Sequence, residues 1–194
     1  MPDEPEALDE YVFIDHVDHG KSVDDVLRAV FDENPTTVRF TAQFAGPFIG
    51  FVAATIPDLE TSHRLAREDF WNAGLRCETV IVVKASALAV PKRGSPDVCA
   101  LVRVSADDPD AVLDSLDELF RERFEAEAGK QYDERVFNYG AAVVNGTYDL
   151  LVDIGSPTFG GTRDLVREVR GAPGVRRTVT AFAHLPGNAR RRDL

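Results

Sequence analysis

Gly46–Arg76 reads GPFIGFVAATIPDLETSHRLAREDFWNAGLR, and Gly146–Arg176 reads GTYDLLVDIGSPTFGGTRDLVREVRGAPGVR. Set one above the other, the two stretches align without a gap. Gly46 falls on Gly146, Pro57 on Pro157, Leu65 on Leu165 and Arg67 on Arg167. Glu68 falls on Glu168, Gly74 on Gly174 and Arg76 on Arg176, while Ala42/Ala142 and Val52/Val152 extend the match upstream. A repeat of this length marks a duplicated domain, not a short solenoid unit.

Working outward from the first copy, Tyr11–Val17 has the composition of a strand and Asp18-His19-Gly20 that of a turn. Val23, Val26, Leu27, Val30 and Phe31 lie on one helical face, and Asn34-Pro35 stops that helix. Strands are expected at Val38–Ala45 and Phe48–Ile56, separated by Gly46-Pro47. A second helix is expected over Thr61–Ala73, anchored by Leu65, Phe70 and Trp71 and capped by Gly74, before a strand at Cys77–Val83. Ala87–Asp97, with Pro91, Gly94 and Pro96, reads as a linker.

The second copy repeats the order. It predicts a strand at Val98–Ser105 and a helix capped by Asp108 that starts at Pro109. That helix carries a stripe of Val112, Leu116, Leu119, Phe120 and Phe124. Strands at Val136–Val144 and Tyr148–Ile154, a helix at Thr162–Arg170 and a strand at Arg176–Leu185 complete it. Glu125–Glu134 is an insertion relative to the first copy. The order β-α-β-β-α-β, twice, predicts an α+β protein of two tandem ferredoxin-like units, residues 11–86 and 98–186. Each unit covers one sheet face with helices. The expectation is that the two open faces pack on each other in the manner of a dimeric α/β-barrel.

Composition narrows the function. The chain has 194 residues, 44% hydrophobic content, and 33 acidic against 22 basic residues, for a net charge of −11. That balance repels nucleic acid and argues against direct DNA reading. No apolar run is long enough to span a bilayer, and Met1–Glu10 reads as a solvated acidic tail without a signal-peptide core. Cys77 and Cys99, far apart, read as free thiols of a cytoplasmic protein. Arg190-Arg191-Arg192 belongs to a short polar tail, Asn188–Leu194.

The stretch from Tyr139 to His184 resembles the effector-binding (RAM) domain of the Lrp/AsnC, or feast/famine, transcription regulators. Gly146, Tyr148 and Asp149 match that family's G-x-Y-D hairpin. Pro173, Gly174 and Val175 match its P-G-V turn, which leads into a Thr-rich strand. The first copy departs from both motifs, with Gly46-Pro47-Phe48-Ile49 and Ala73-Gly74-Leu75 in their places. The resemblance implies a non-catalytic small-molecule site for an amino-acid-like effector at Gly146, Thr147, Tyr148 and Asp149, with Thr178 and Thr180 as hydroxyl donors. It implies action through self-assembly or a DNA-binding partner regulator, because no helix-turn-helix precedes the first strand. No cofactor and no metal are expected. Glycine admits a ligand close to the backbone, and an acid can hold an amine.

Two other readings stand beside it. The Gly146–Asp149 segment has the composition of an ordinary tight turn. The fold is also compatible with an enzyme of the dimeric α/β-barrel class, either a small monooxygenase or a haem-dependent oxidase with His184 as the iron ligand. His16-Val17-Asp18-His19 is a weak metal signal, because a third ligand must come from elsewhere. No P-loop, G-x-G-x-x-G, G-x-S-x-G or H-E-x-x-H motif occurs.

Overall fold

A computed structural model of the protein describes residues 7–32, 36–88, 98–126 and 138–184. Asn34-Pro35, the linker from 89 to 97, the insertion from 127 to 134, residues 136 and 137, and everything after His184 lie outside the described residues. The chain divides into two compact units, with the boundary between Val82 and Val83, so that the last residues of the first unit's final strand fall to the second.

The first unit comprises β1 (Leu8–Val17), α1 (Val23–Asp32), β2 (Thr37–Gln43) and β3 (Gly50–Ile56), followed by α2 (Leu59–Arg64), a π-turn (Leu65–Asp69), α3 (Phe70–Ala73) and β4 (Leu75–Ala85). Its strands are antiparallel in the order β2-β3-β1-β4. Strand alternation explains the core. Val12 faces Val52 and Ile14 faces Gly50 across the β1–β3 ladder. Val12, Ile14, Val52, Ala54 and Ile56 meet Val26, Leu27, Val30 and Phe31 of α1. On the other face Tyr11, Phe13 and Phe51 form an aromatic group that also takes in Phe44 and Phe48.

Two expectations for this unit need correction. The acidic start is not wholly a solvated tail. Leu8, Asp9 and Glu10 belong to β1. Asp9 accepts hydrogen bonds from Arg39 and from Thr55 Oγ1, both at 3.0 Å, and Glu10 is buried. The ladder to β3 already begins at Leu8↔Ile56, and this pairing outweighs the local charge. Trp71 is not an anchor but 58% exposed, with the Arg76 guanidinium 3.6 Å above its ring. The reason is the π-turn, closed by Phe70 N–H donating to Leu65 C=O. One extra residue in the turn rotates the rest of the helix, bringing Phe70 to the interior and Trp71 outward.

The second unit comprises β5 (Val98–Ala106), α4 (Pro109–Ala126), β6 (Asn138–Asn145), β7 (Leu150–Ser156), α5 (Phe159–Gly171) and β8 (Val175–His184). Its antiparallel order is β6-β7-β5-β8, the same arrangement as the first. Asp108 caps α4 as expected, its Oδ1 accepting from Ala111 N–H at 3.1 Å. The second helix starts earlier than expected, because Thr158 caps it by accepting from Gly161 N–H at 3.1 Å. Ala100, Val102 and Val104 of β5 pack on Val112, Leu113, Leu116 and Phe120 of α4 and on Leu165, Val166 and Val169 of α5. The protein is thus α+β, built of two βαββαβ units. Among the described residues no helix is long and apolar enough to cross a membrane.

Candidate functional site

The β6–β7 hairpin is built by the same hydrogen bonds in both copies. Val144 N–H donates to Asp149 C=O and Asp149 N–H donates to Val104 C=O, both at 3.0 Å. In the first copy Phe44 N–H donates to Ile49 C=O at 3.0 Å, and Ile49 N–H to Ile14 C=O at 2.7 Å. The backbone frame is therefore independent of G-x-Y-D, since the first copy forms it with Gly46-Pro47-Phe48-Ile49. The side chains are what differ.

Asn145, Gly146 and Thr147 are exposed, and Tyr148 and Asp149 are half-buried. One Asp149 carboxylate oxygen accepts from Ala106 N–H at 2.8 Å. The β5–β8 ladder shifts register between Ser105 and Ala106, and such a shift takes a backbone group out of the regular ladder. Asp149 thus ties the end of β5 to the hairpin, which is a local structural role alongside the expected amine-binding one. Tyr148 lies beside Arg103 of β5, whose guanidinium carbon is 5.1 Å from the ring centroid.

Thr178 and Thr180 are half-buried on β8, opposite Val104 and Val102. Directly opposed residues share a face, so the two threonines stand on the helix-covered side of the sheet. Arg103 pairs with Val179 and belongs to the other side. The structure therefore brings Gly146, Thr147, Tyr148 and Asp149 together in one hairpin and sets Thr178 and Thr180 across β5 from it. The Tyr148–Arg103 contact is on the opposite face from the threonines. At the P-G-V turn, Gly174 has φ +82°, and a Cβ there would stand 2.8 Å from Val112 Cγ2. This glycine closes α5 onto α4, and Pro173 lines a groove of about 290 Å³ with Ser115, Leu119, Glu168, Gly171 and Ala172.

The sequence reading passed over Arg103, which is only 6% exposed, in the otherwise apolar run Val98–Val104. Asp153, opposite Leu101, stands on the same face. A single arginine and a single aspartate at matching alternation in two apolar strands were the available signal. The internal repeat sharpens it. The ladders put Phe13 of the first unit where Arg103 stands in the second, and Ala53 where Asp153 stands. A second polar group unites Asp117, 6% exposed, with Ser86 Oγ and Tyr139 O–H, each donating to Oδ1 at 2.6 Å. Burial and the Asp117 carboxylate push the Tyr139 phenol far above its ordinary pKa.

A haem, which the dimeric α/β-barrel reading allows, has no room among the described residues on the helix-covered side of the second unit. The helix-covered side of the second unit is filled, with the Phe120 and Tyr139 rings stacked at 4.3 Å among Val112, Leu116, Leu165 and Val169. His16, His19 and His63 are exposed and belong to the first unit. His184 pairs with Val98 at the end of β8. Among the described residues no three or more His, Cys, Asp or Glu side chains are grouped to hold a metal ion. Both thiols are pushed up to about 12 by burial, which leaves them protonated and unreactive near neutral pH.

No family model matches this chain, and no curated protein does. Solved structures do. A protein designated TA0507, provisionally described as a chlorite dismutase, aligns at a TM-score of 0.56 and 14% identity over 93% of this chain and 95% of its own. An arginine-to-glutamate variant of the chlorite dismutase from Candidatus Nitrospira defluvii aligns at 0.57 and 10% identity, covering 91% of this chain and 90% of its own. The imidazole complex of the same enzyme aligns at 0.56 and 10%, covering 90% of each chain. At such identities the likeness is one of fold: the chain is similar to chlorite dismutases in its ferredoxin-type α+β architecture.

Proposed function

We propose that this protein is a small-molecule enzyme of the dimeric α/β-barrel class. One observation carries the reading. Chlorite dismutase structures match about nine-tenths of this chain and of their own, so one polypeptide with both βαββαβ units is matched end to end. A tandem pair of units in one chain is, by contrast, a departure from the Lrp/AsnC regulators. The filled helix-covered side of the second unit favours the small-monooxygenase side of the class, while the likeness to chlorite dismutases favours the haem-dependent side. On this reading Arg103 and Tyr148 of the second unit meet the substrate, because a guanidinium in apolar surroundings holds a developing oxyanion far better than one in water.

The test is oxygen uptake by the purified protein with electron-rich phenols and hydroquinones, for the native chain and Arg103→Gln. Turnover without added cofactor, reduced at least about tenfold in the variant, supports the reading; tenfold corresponds to about 1.4 kcal/mol of barrier. Absence of turnover overturns it, and a saturable absorbance band on hemin titration assigns the protein to the haem-dependent side of the class instead.

A second reading keeps the Lrp/AsnC resemblance: a sensor of an amino-acid-like effector, acting through a homo-oligomer or a partner regulator. The Gly146–Asp149 hairpin and the Pro173–Val175 turn favour it. An effector at about 100 times its dissociation constant would add roughly 2.7 kcal/mol of stability, visible as a thermal shift with no turnover.

A further inference from the structure

Glu10 is a buried carboxyl that neither reading uses. It is 1% exposed, on the face of β1 that packs under α2. Ser62 Oγ, in α2, donates to Oε1 at 2.8 Å, while Oε2 is buried with only the more distant Thr79 hydroxyl to serve it. The corresponding place in the second unit holds no charge. By register Ala100 stands where Glu10 stands, and the helix start is fastened by Thr162 Oγ1, which donates to Val98 C=O at 3.0 Å and accepts from Ser156 N–H at 3.1 Å. The first unit has thus put a titratable group where the second has neutral hydroxyls.

Among the described residues that pack against it, none on the same face is a cation. From β3 its partner is Ala54, and from β4 its partner is Ile81, with the Thr79 hydroxyl and the Cys77 thiol further along the same strand. From α2 it meets Ser62, whereas Glu60, His63 and Arg64 are exposed. Asp9 and Glu78 alternate to the opposite face of the sheet. Burial therefore raises the Glu10 pKa above its ordinary 4.5, against the smaller opposing effect of the Ser62 and Thr79 hydroxyls.

We propose that Glu10 is a proton-operated clasp. With the carboxyl protonated, it holds the first turn of α2 against β1, and its ionisation as pH rises releases the segment from α2 to α3. The helix yields and the strand does not, for a geometric reason. Glu10 is paired on both sides in the sheet, to Ala54 and to Ile81. α2 spans only Leu59–Arg64 and runs into the π-turn, where the regular hydrogen-bond ladder is interrupted. The sign follows from linkage. A carboxyl whose pKa is raised on folding holds its proton more tightly than in the unfolded chain. Its contribution is complete below about pH 4.5 and is lost as pH climbs through the folded value.

Amide exchange across Leu59–Ala73, corrected for intrinsic rates, tests the clasp from pH 4 to pH 8, with emission of Trp71 as a second readout; it is the sole tryptophan of the chain. In the native protein, opening of this segment should increase with pH, by about tenfold for each unit by which the carboxyl's pKa is raised. In Glu10→Gln, which keeps the shape and a partner for Ser62, both signals should be flat. Should Glu10→Gln fail to fold, the native profile alone decides: a segment no more open at pH 8 than at pH 4 overturns the proposal. Equal pH dependence in native and variant overturns it as well.

Discussion

Asp149 shows how one side chain joins two arguments. The resemblance to G-x-Y-D proposes it as an effector-binding acid, and its carboxylate is engaged with Ala106 N–H where the β5–β8 register shifts. Removing that acceptor leaves a half-buried N–H unsatisfied, so Asp149→Ala should lower the stability of the second unit by about 1 kcal/mol. Asp149→Asn, which retains a carbonyl oxygen, should lose less. Urea unfolding of the two variants checks the order. Equal, negligible losses would leave the carboxylate without this structural role. Arg103 is the opposite case, a residue with no motif around it. Its interest rests on burial and on the Phe13 that occupies the same register position in the first unit.

At the scale of elements, the end of α5 gives a contrast within four residues. Gly174 sits at φ +82° with Val112 Cγ2 only 2.8 Å from where a Cβ would be. Gly174→Ala should cost about 1–2 kcal/mol for the left-handed backbone alone, with the Val112 clash in addition. Gly171, the last residue of α5, has open space around its Cα and no positive φ. Gly171→Ala should stabilise by roughly 0.5 kcal/mol, because alanine loses less backbone freedom in a helix. Thermal unfolding of the pair should therefore move in opposite directions; a shift of the same sign in both would refute the argument. The elements themselves were largely readable. Helical periodicity located α1 and α4, and the Asp108-Pro109 cap located the start of α4. The π-turn was not readable, since an extra residue in a helical turn leaves no mark on an i, i+3, i+4 pattern. Trp71 was placed on the wrong side for that reason.

For the whole molecule, charge is the accessible lever. With 33 acidic and 22 basic residues, the compact state repels itself, and salt screens that repulsion. The unfolding temperature should rise as salt is increased from about 0.01 M to 1 M, where the Debye length falls from about 30 Å to 3 Å. A falling temperature would mean that attractive ion pairs such as Arg123–Glu168 and Lys84–Asp110 outweigh the net charge.

The sequence by itself determined the duplication and the order of elements within each copy. Both are local matters of spacing, turn residues and caps, and each is repeated 100 residues on. It also determined the shape of the hairpin at Gly146–Asp149, since the first copy makes the same backbone bonds with different side chains. Which groups share a face was a tertiary decision. Thr178 and Tyr148 look like members of one site along the chain, and pairing with β5 sets them on opposite sides of a sheet. Burial was tertiary as well. Glu10 reads as part of a solvated tail until β3 and β4 pair on either side of it and α2 covers it, because desolvation depends on what packs over a residue and not on its neighbours in sequence.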